Sequence, residues 1–100
     1  MIKHIVMWKL KESACGNTKE ENAQIIKEKL ESLEAKIPEL LKIEVGIDFS
    51  KTENSADIVL YSEFNTKEDL EKYKVHPEHK AVVPFVVEAK SEGRVVDCEI

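Results

Sequence analysis

Residues 2–10 read Ile2-Lys3-His4-Ile5-Val6-Met7-Trp8-Lys9-Leu10 and alternate with a period of two. That period places Ile2, His4, Val6, Trp8 and Leu10 on one face of a β-strand, and Lys3, Ile5, Met7 and Lys9 on the other. The first face is a core face with one ionisable intruder, His4. The second is apolar where a solvated face would be polar, at Ile5 and Met7. The same two-sided pattern returns near residue 60, where Ile58, Leu60, Ser62 and Phe64 oppose Val59, Tyr61 and Glu63. A sheet made of such strands has two faces to cover.

The elements around these strands set the fold class. Gly16-Asn17 marks a loop, and Thr18 with Glu21 has the form of a capping box opening a helix to about Ala35. Ala23, Ile26, Leu30, Leu33 and Ile37 step by three and four into one apolar stripe, and Pro38 stops the helix. A second strand is expected at Leu41–Asp48, a polar turn at Ser50–Ser55 and a third strand at Ala56–Phe64. Asn65 or Thr66 caps a helix carrying Leu70 and Tyr73, which His76-Pro77 breaks. A third, apolar helix runs from Glu78 to about Lys90, with Pro84 marking a kink or an early end, and the last strand is Gly93–Ile100. The order β-α-β-β-α-β, its second helical element divided, predicts an α+β fold. It is the ferredoxin-like arrangement, an antiparallel four-stranded sheet with helices on one face.

One hundred residues make a single domain, residues 1–100, with no element to spare for the second face. A second copy of the same sheet is therefore expected to cover it, giving a homodimer with Ile5, Met7, Val59 and Tyr61 buried across a two-fold interface. Fifteen Lys and Arg against twenty Asp and Glu give a net charge of −5, which argues against nucleic acid and against a polybasic membrane anchor. No apolar run approaches the roughly 20 residues of a membrane span. The opening Met1-Ile2-Lys3-His4 lacks the apolar core of a signal peptide, so a cytoplasmic location is expected. Cys15 and Cys98 stand at no metal spacing and are expected to be free thiols.

The chemistry-bearing residues concentrate in Tyr73-Lys74-Val75-His76-Pro77-Glu78-His79, which joins a phenol, two histidines and a carboxylate around a turn pinned by Pro77. Histidine takes and returns protons near neutrality, so this corner suits acid–base work. His4, on the same strand face as Val6 and Trp8, needs a polar partner, as does Asp97 on the last strand. In this topology both could converge on the corner. The expected roles are His79 as general base oriented by Asp97, and Tyr73 as the group that holds or protonates a carbonyl oxygen. His4, Trp8, His76 and Asp97 are expected to line the pocket. The alternative is structural: His76 capping the broken helix, His79 solvated, His4 bonded to a backbone carbonyl. His76 and His79, three apart, could chelate a metal, but no third ligand stands at a suitable spacing, so neither metal nor cofactor is expected.

Taken in order, Ile2-Lys3-His4-Ile5-Val6, Glu44-Val45-Gly46, Ser62-Glu63-Phe64, Asp69-Leu70-Glu71-Lys72-Tyr73, the His76-Pro77-Glu78-His79 corner and Val95-Val96-Asp97 resemble the stress-responsive A/B barrel (Dabb) family over nearly the whole chain. The resemblance implies a dimeric α+β barrel of two ferredoxin-like subunits with helices outside. It implies a varied function: plant stress proteins, bacterial members of unknown role, and a polyketide cyclase that works without cofactor or metal. The tyrosine and histidine that act in that cyclase correspond to Tyr73 and His79. Its cavity histidine corresponds to His4, and an aspartate near its catalytic histidine corresponds to Asp97. Ile58, Ile26, Leu30 and Cys98 stand where the cyclase pattern has histidine or aromatic residues, so the polyketide pocket is not repeated. The expected function is binding of a small organic molecule in a helix–sheet cavity, with cofactor-free, cyclase- or lyase-like acid–base chemistry. The alternatives are a non-catalytic stress-responsive structural protein and, further off, an antibiotic-biosynthesis-type monooxygenase.

Overall fold

A computed structural model describes all residues, 1–100. Strand β1 (Ile2–Leu10) leads into a small hairpin, β2 (Ser13–Ala14) and β3 (Asn17–Thr18). Its two-residue turn puts Cys15 at φ 55° and Gly16 at φ 76°, the double positive φ that a tight hairpin turn needs and that a sequence loop conceals. Helix α1 (Lys19–Glu31) starts at the Thr18–Glu21 capping box and tightens into a 3₁₀ turn over Ser32–Ala35. Then come β4 (Lys42–Ile47), β5 (Ile58–Phe64), α2 (Lys67–Val75), α3 (Pro77–Ala89) and β6 (Lys90–Glu99). Thr66 caps α2 through the Asp69 amide.

The departures from expectation are largest at the last helix and strand, while β5 starts two residues late, at Ile58. Helix α3 runs through Pro84 to Ala89, and β6 begins at Lys90, three residues early. Proline removes one backbone donor and crowds the preceding turn. Pro84 lies on the exposed side of α3, while Val82, Val86 and Ala89 pack inward and hold the helix together past it.

The sheet order is β4-β5-β1-β6, all neighbours antiparallel. This is the α+β ferredoxin-like architecture expected, with the helices on one face. Beneath them the core contains Val6, Trp8, Ile26, Leu33, Leu60, Phe64 and Tyr73. Register places whole rows of side chains on the bare face. Glu44, Tyr61, Ile5 and Val96 form one row, and Gly46, Val59, Met7 and Arg94 the next. Met7 is 43% and Val96 53% exposed. A charged row closes one end: Lys3 donates to Glu63 at 2.9 Å, and both meet the Tyr61 hydroxyl. No helix is long and apolar enough to cross a membrane.

Strand β6 is the sheet edge, and the helices do not reach over it. Val95, on the helix side, remains 58% exposed, and Val87 of α3, 54%. An open-sided cleft is left between β1, α3 and this edge.

Candidate functional site

His4 sits in the middle of the core face because strand alternation leaves it no other side. It is 8% exposed, so its ring must be satisfied inside. Register answers this: Asp97 of β6 stands directly opposite, and His4 Nδ1 lies 2.5 Å from Asp97 Oδ1. A carboxylate only accepts, so His4 carries its proton on Nδ1 and leaves Nε2 free. The Ser62 hydroxyl also donates to the His4 carbonyl at 2.9 Å, tying this point of β1 to β5.

His79 is held differently. Pro77 occupies the first turn of α3, where its missing N–H costs nothing. One turn on, His79 Nδ1–H donates to the Lys74 carbonyl at 3.1 Å, one of the acceptors left open at the end of α2. Its Nε2 is thereby the free, basic nitrogen. Burial pushes the His79 pKa below the usual histidine range, outweighing the bond to Lys74, while His4 and the Lys74 charge lower it further. Lys74 joins the two arms: its carbonyl holds His79, and its ammonium lies 3.8 Å from Asp97 Oδ2.

The expected Asp97–His79 pairing is therefore replaced by Asp97–His4. The reason is geometric: β1 and β6 are bonded neighbours, while His79 hangs from the helical layer and finds a backbone acceptor within its own corner. His76 does not line the cleft; its Nδ1 accepts from the Glu78 amide and caps α3, the structural role open to it. Tyr73 also departs from expectation. It is fully buried, 4.5 Å from the His79 ring, 5.1 Å from Phe64 and 6.2 Å from His4, between ring centroids. Its hydroxyl is the one buried side-chain polar atom without a hydrogen-bond partner, and burial raises the phenol pKa. It lies behind the histidines and not on the cleft wall.

His4 and His79 face a common cleft of about 160 Å³. Val6 and Trp8 of β1 form its floor, and Val82 and Val86 of α3 its roof. Lys90 lies at the far end from the histidines, beside Trp8. An apolar cavity of roughly 150 Å³ is enough for benzene, so this space suits a ring-sized molecule. Sequence reasoning missed Lys90 and the valines of α3. The valine spacing reads as ordinary core, and Lys90 reads as a helix end. No three His, Cys, Asp or Glu side chains converge as metal ligands.

The sequence profile of the stress responsive A/B barrel domain matches residues 2–100. A dimeric protein of unknown function and ferredoxin-like fold from Bacteroides fragilis is 37% identical, covering 99% of this chain and 95% of its own, with a TM-score of 0.87. The hydroxynitrile lyase of Passiflora edulis is 16% identical, covering 99% and 92%, with a TM-score of 0.83. An antibiotic biosynthesis monooxygenase is 17% identical, covering 100% and 98%, with a TM-score of 0.72. The last two likenesses show the fold alone. No curated protein matches the chain.

Proposed function

The chain belongs to the stress-responsive A/B barrel domain family, and from that membership we propose that it is a homodimer that binds a small, largely apolar carbonyl compound between its sheet and α3 and moves a proton on it without a cofactor. One observation carries the reading. Two histidines, each with Nδ1 committed to a protein acceptor, line one apolar cleft.

The roles follow from the environments. His79, kept neutral by burial, takes a proton from the carbon next to the carbonyl through Nε2. The proton that His79 takes makes it the imidazolium that balances the enolate charge, and His4, its ring fixed by Asp97, lines the cleft beside it. Tyr73 packs under His79 and holds its ring in place. Trp8 supplies apolar floor. The homodimer reading is supported by the apolar rows on the bare sheet face and by the dimeric relative at 37% identity.

Deuterium exchange at the methyl group of acetophenone in D₂O, followed by proton NMR, tests the chemistry. Exchange above buffer is expected, falling about 10²–10⁴-fold in His79→Ala. A shift of the Trp8 indole signal on adding acetophenone, with no exchange, would overturn catalysis and leave a binding protein. That second, non-catalytic reading is favoured by one observation: the Tyr73 hydroxyl is sealed from the cleft.

A further inference from the structure

The end of the cleft away from the histidines has its own chemistry. Trp8 faces Gly93 across the β1–β6 ladder. A side-chain carbon at Gly93 would stand 3.1 Å from Trp8 Cδ1, 3.5 Å from Trp8 Nε1 and 3.9 Å from Lys90 Nζ. The indole therefore packs directly over the Gly93 backbone, where a side chain would crowd it, and this seats two donors, the indole N–H and the Lys90 ammonium, at the same end of the cleft. Neither is spent elsewhere. Lys90 Nζ takes part in none of the ion pairs of the fold. Trp8 Nε1–H, a donor only, meets no protein acceptor, and it is not sealed in the core as the Tyr73 hydroxyl is. No carboxylate lines the cleft, in a chain whose net charge is −5.

We propose that Trp8 Nε1–H and Lys90 Nζ, at the end of the cleft away from the histidines, anchor the carboxylate of a ring-sized apolar acid. Its body fills the valine slot and its far end reaches His4 and His79. The inference rests on the reading of this cleft as a ligand site and adds the charge and orientation of what enters it. His4 and Trp8 stand four positions apart on β1, about 13 Å along an extended strand. A charge-assisted pair with an ammonium, next to an indole N–H, favours a carboxylate over its neutral amide. The carboxylate end cannot sit beside Asp97, which fixes the direction of binding. Lys90 and Gly93 are then specificity residues and take no part in proton transfer.

The single tryptophan gives one indole N–H signal, and that signal reads the test directly. The full chain is titrated with phenylacetate and with phenylacetamide at neutral pH. Phenylacetate is expected to move the indole signal and to bind at least tenfold more tightly than the amide. Lys90→Met, which keeps the apolar stem, is expected to abolish that preference while leaving amide binding within about twofold. Gly93→Ala, which crowds Trp8, is expected to weaken phenylacetate in the same sense. Equal affinity for the two probes, or unchanged phenylacetate affinity in Lys90→Met, would overturn the anchor and leave the cleft reading intact. Failure of both probes to move the indole signal in the wild-type protein would overturn the anchor and the cleft reading together.

Discussion

The two faces of the sheet are cut from the same strands, residue by alternate residue, yet they are closed in different ways. On the helix side, Phe64, Ile58 and Leu60 are sealed by the chain itself, at 2% exposure or less. On the other side, Met7, Val59 and Val96 keep from about a third to just over half of their surface in water, next to the ordered Lys3–Tyr61–Glu63 group. The difference shows what each face is for. The inner face makes the monomer and, where the helices stop short of β6, leaves the cleft. The outer face is apolar at its centre and polar at one end, the pattern of an interface with a core and a rim. A solvated face would have no reason to carry Ile5 and Met7 in the middle.

The comparison breaks first at the inner face. Phe64→Ala should cost about 3–5 kcal/mol, because it empties a fully buried ring site that Tyr73 packs against. Chemical denaturation reads this, and a loss below 1 kcal/mol would mean that the inner face does not carry the fold. On the outer face the expected effect is on assembly. Tyr61→Asp places an unpartnered charge in the proposed barrel interior and removes the hydroxyl that Lys3 and Glu63 share. Dimer affinity should fall at least 100-fold, about 2.8 kcal/mol, with the circular dichroism of the monomer unchanged. Light scattering at micromolar concentration provides the check. A Tyr61→Asp dimer as tight as the wild type would move the interface to another surface.

The same contrast explains how much was legible beforehand. Element order and both face patterns stand in the residues, since period two and period 3.6 are set by backbone geometry and survive folding unchanged. The pairing of His4 is harder to see. It depends on the β1–β6 register, a long-range property, and Asp97 is equally compatible by sequence with either histidine. Lys90 and Gly93 were invisible as a pair because a helix end and a strand glycine have ordinary local meanings. The small hairpin escaped because Cys15, not glycine or asparagine, takes one of the two positive-φ positions. Tyr73 looked like a catalytic phenol because it lies in a histidine-rich run. Only packing reveals that its hydroxyl points into closed space.

Tyr73→Phe sharpens the line between packing and chemistry with a smaller change. An orphaned buried hydroxyl is a cost, so its removal should leave stability unchanged or raise it by up to about 1 kcal/mol. The exchange rate of acetophenone should fall little, because the ring that supports His79 remains. A loss of stability near 2 kcal/mol would show that the hydroxyl has a partner. A loss of activity near 10²-fold would return Tyr73 to the reaction.

The smallest effect expected is a pH dependence that separates the two histidines. Burial lowers the His79 pKa in the fold below its value in the unfolded chain, about 6.5. Between the two values the unfolded chain binds more protons, so stability rises with pH across that interval. The contribution is fully present above about pH 6.5 and is lost as pH falls through the lower, folded value. His79→Gln cannot titrate, and its stability should be flatter with pH over this range. The carboxylates contribute separately: the Lys27 ammonium, together with the Val45 amide, holds Glu31 below its ordinary value, and that contribution is lost at still lower pH. Thermal midpoints of wild type and His79→Gln from pH 7.5 to 5 test this. Converging curves at neutral pH that separate on acidification are not enough; the wild type must be the one that falls faster. Parallel curves would mean that His79 titrates alike in both states, and the buried, neutral base proposed for the cleft would have to be replaced by an exposed one.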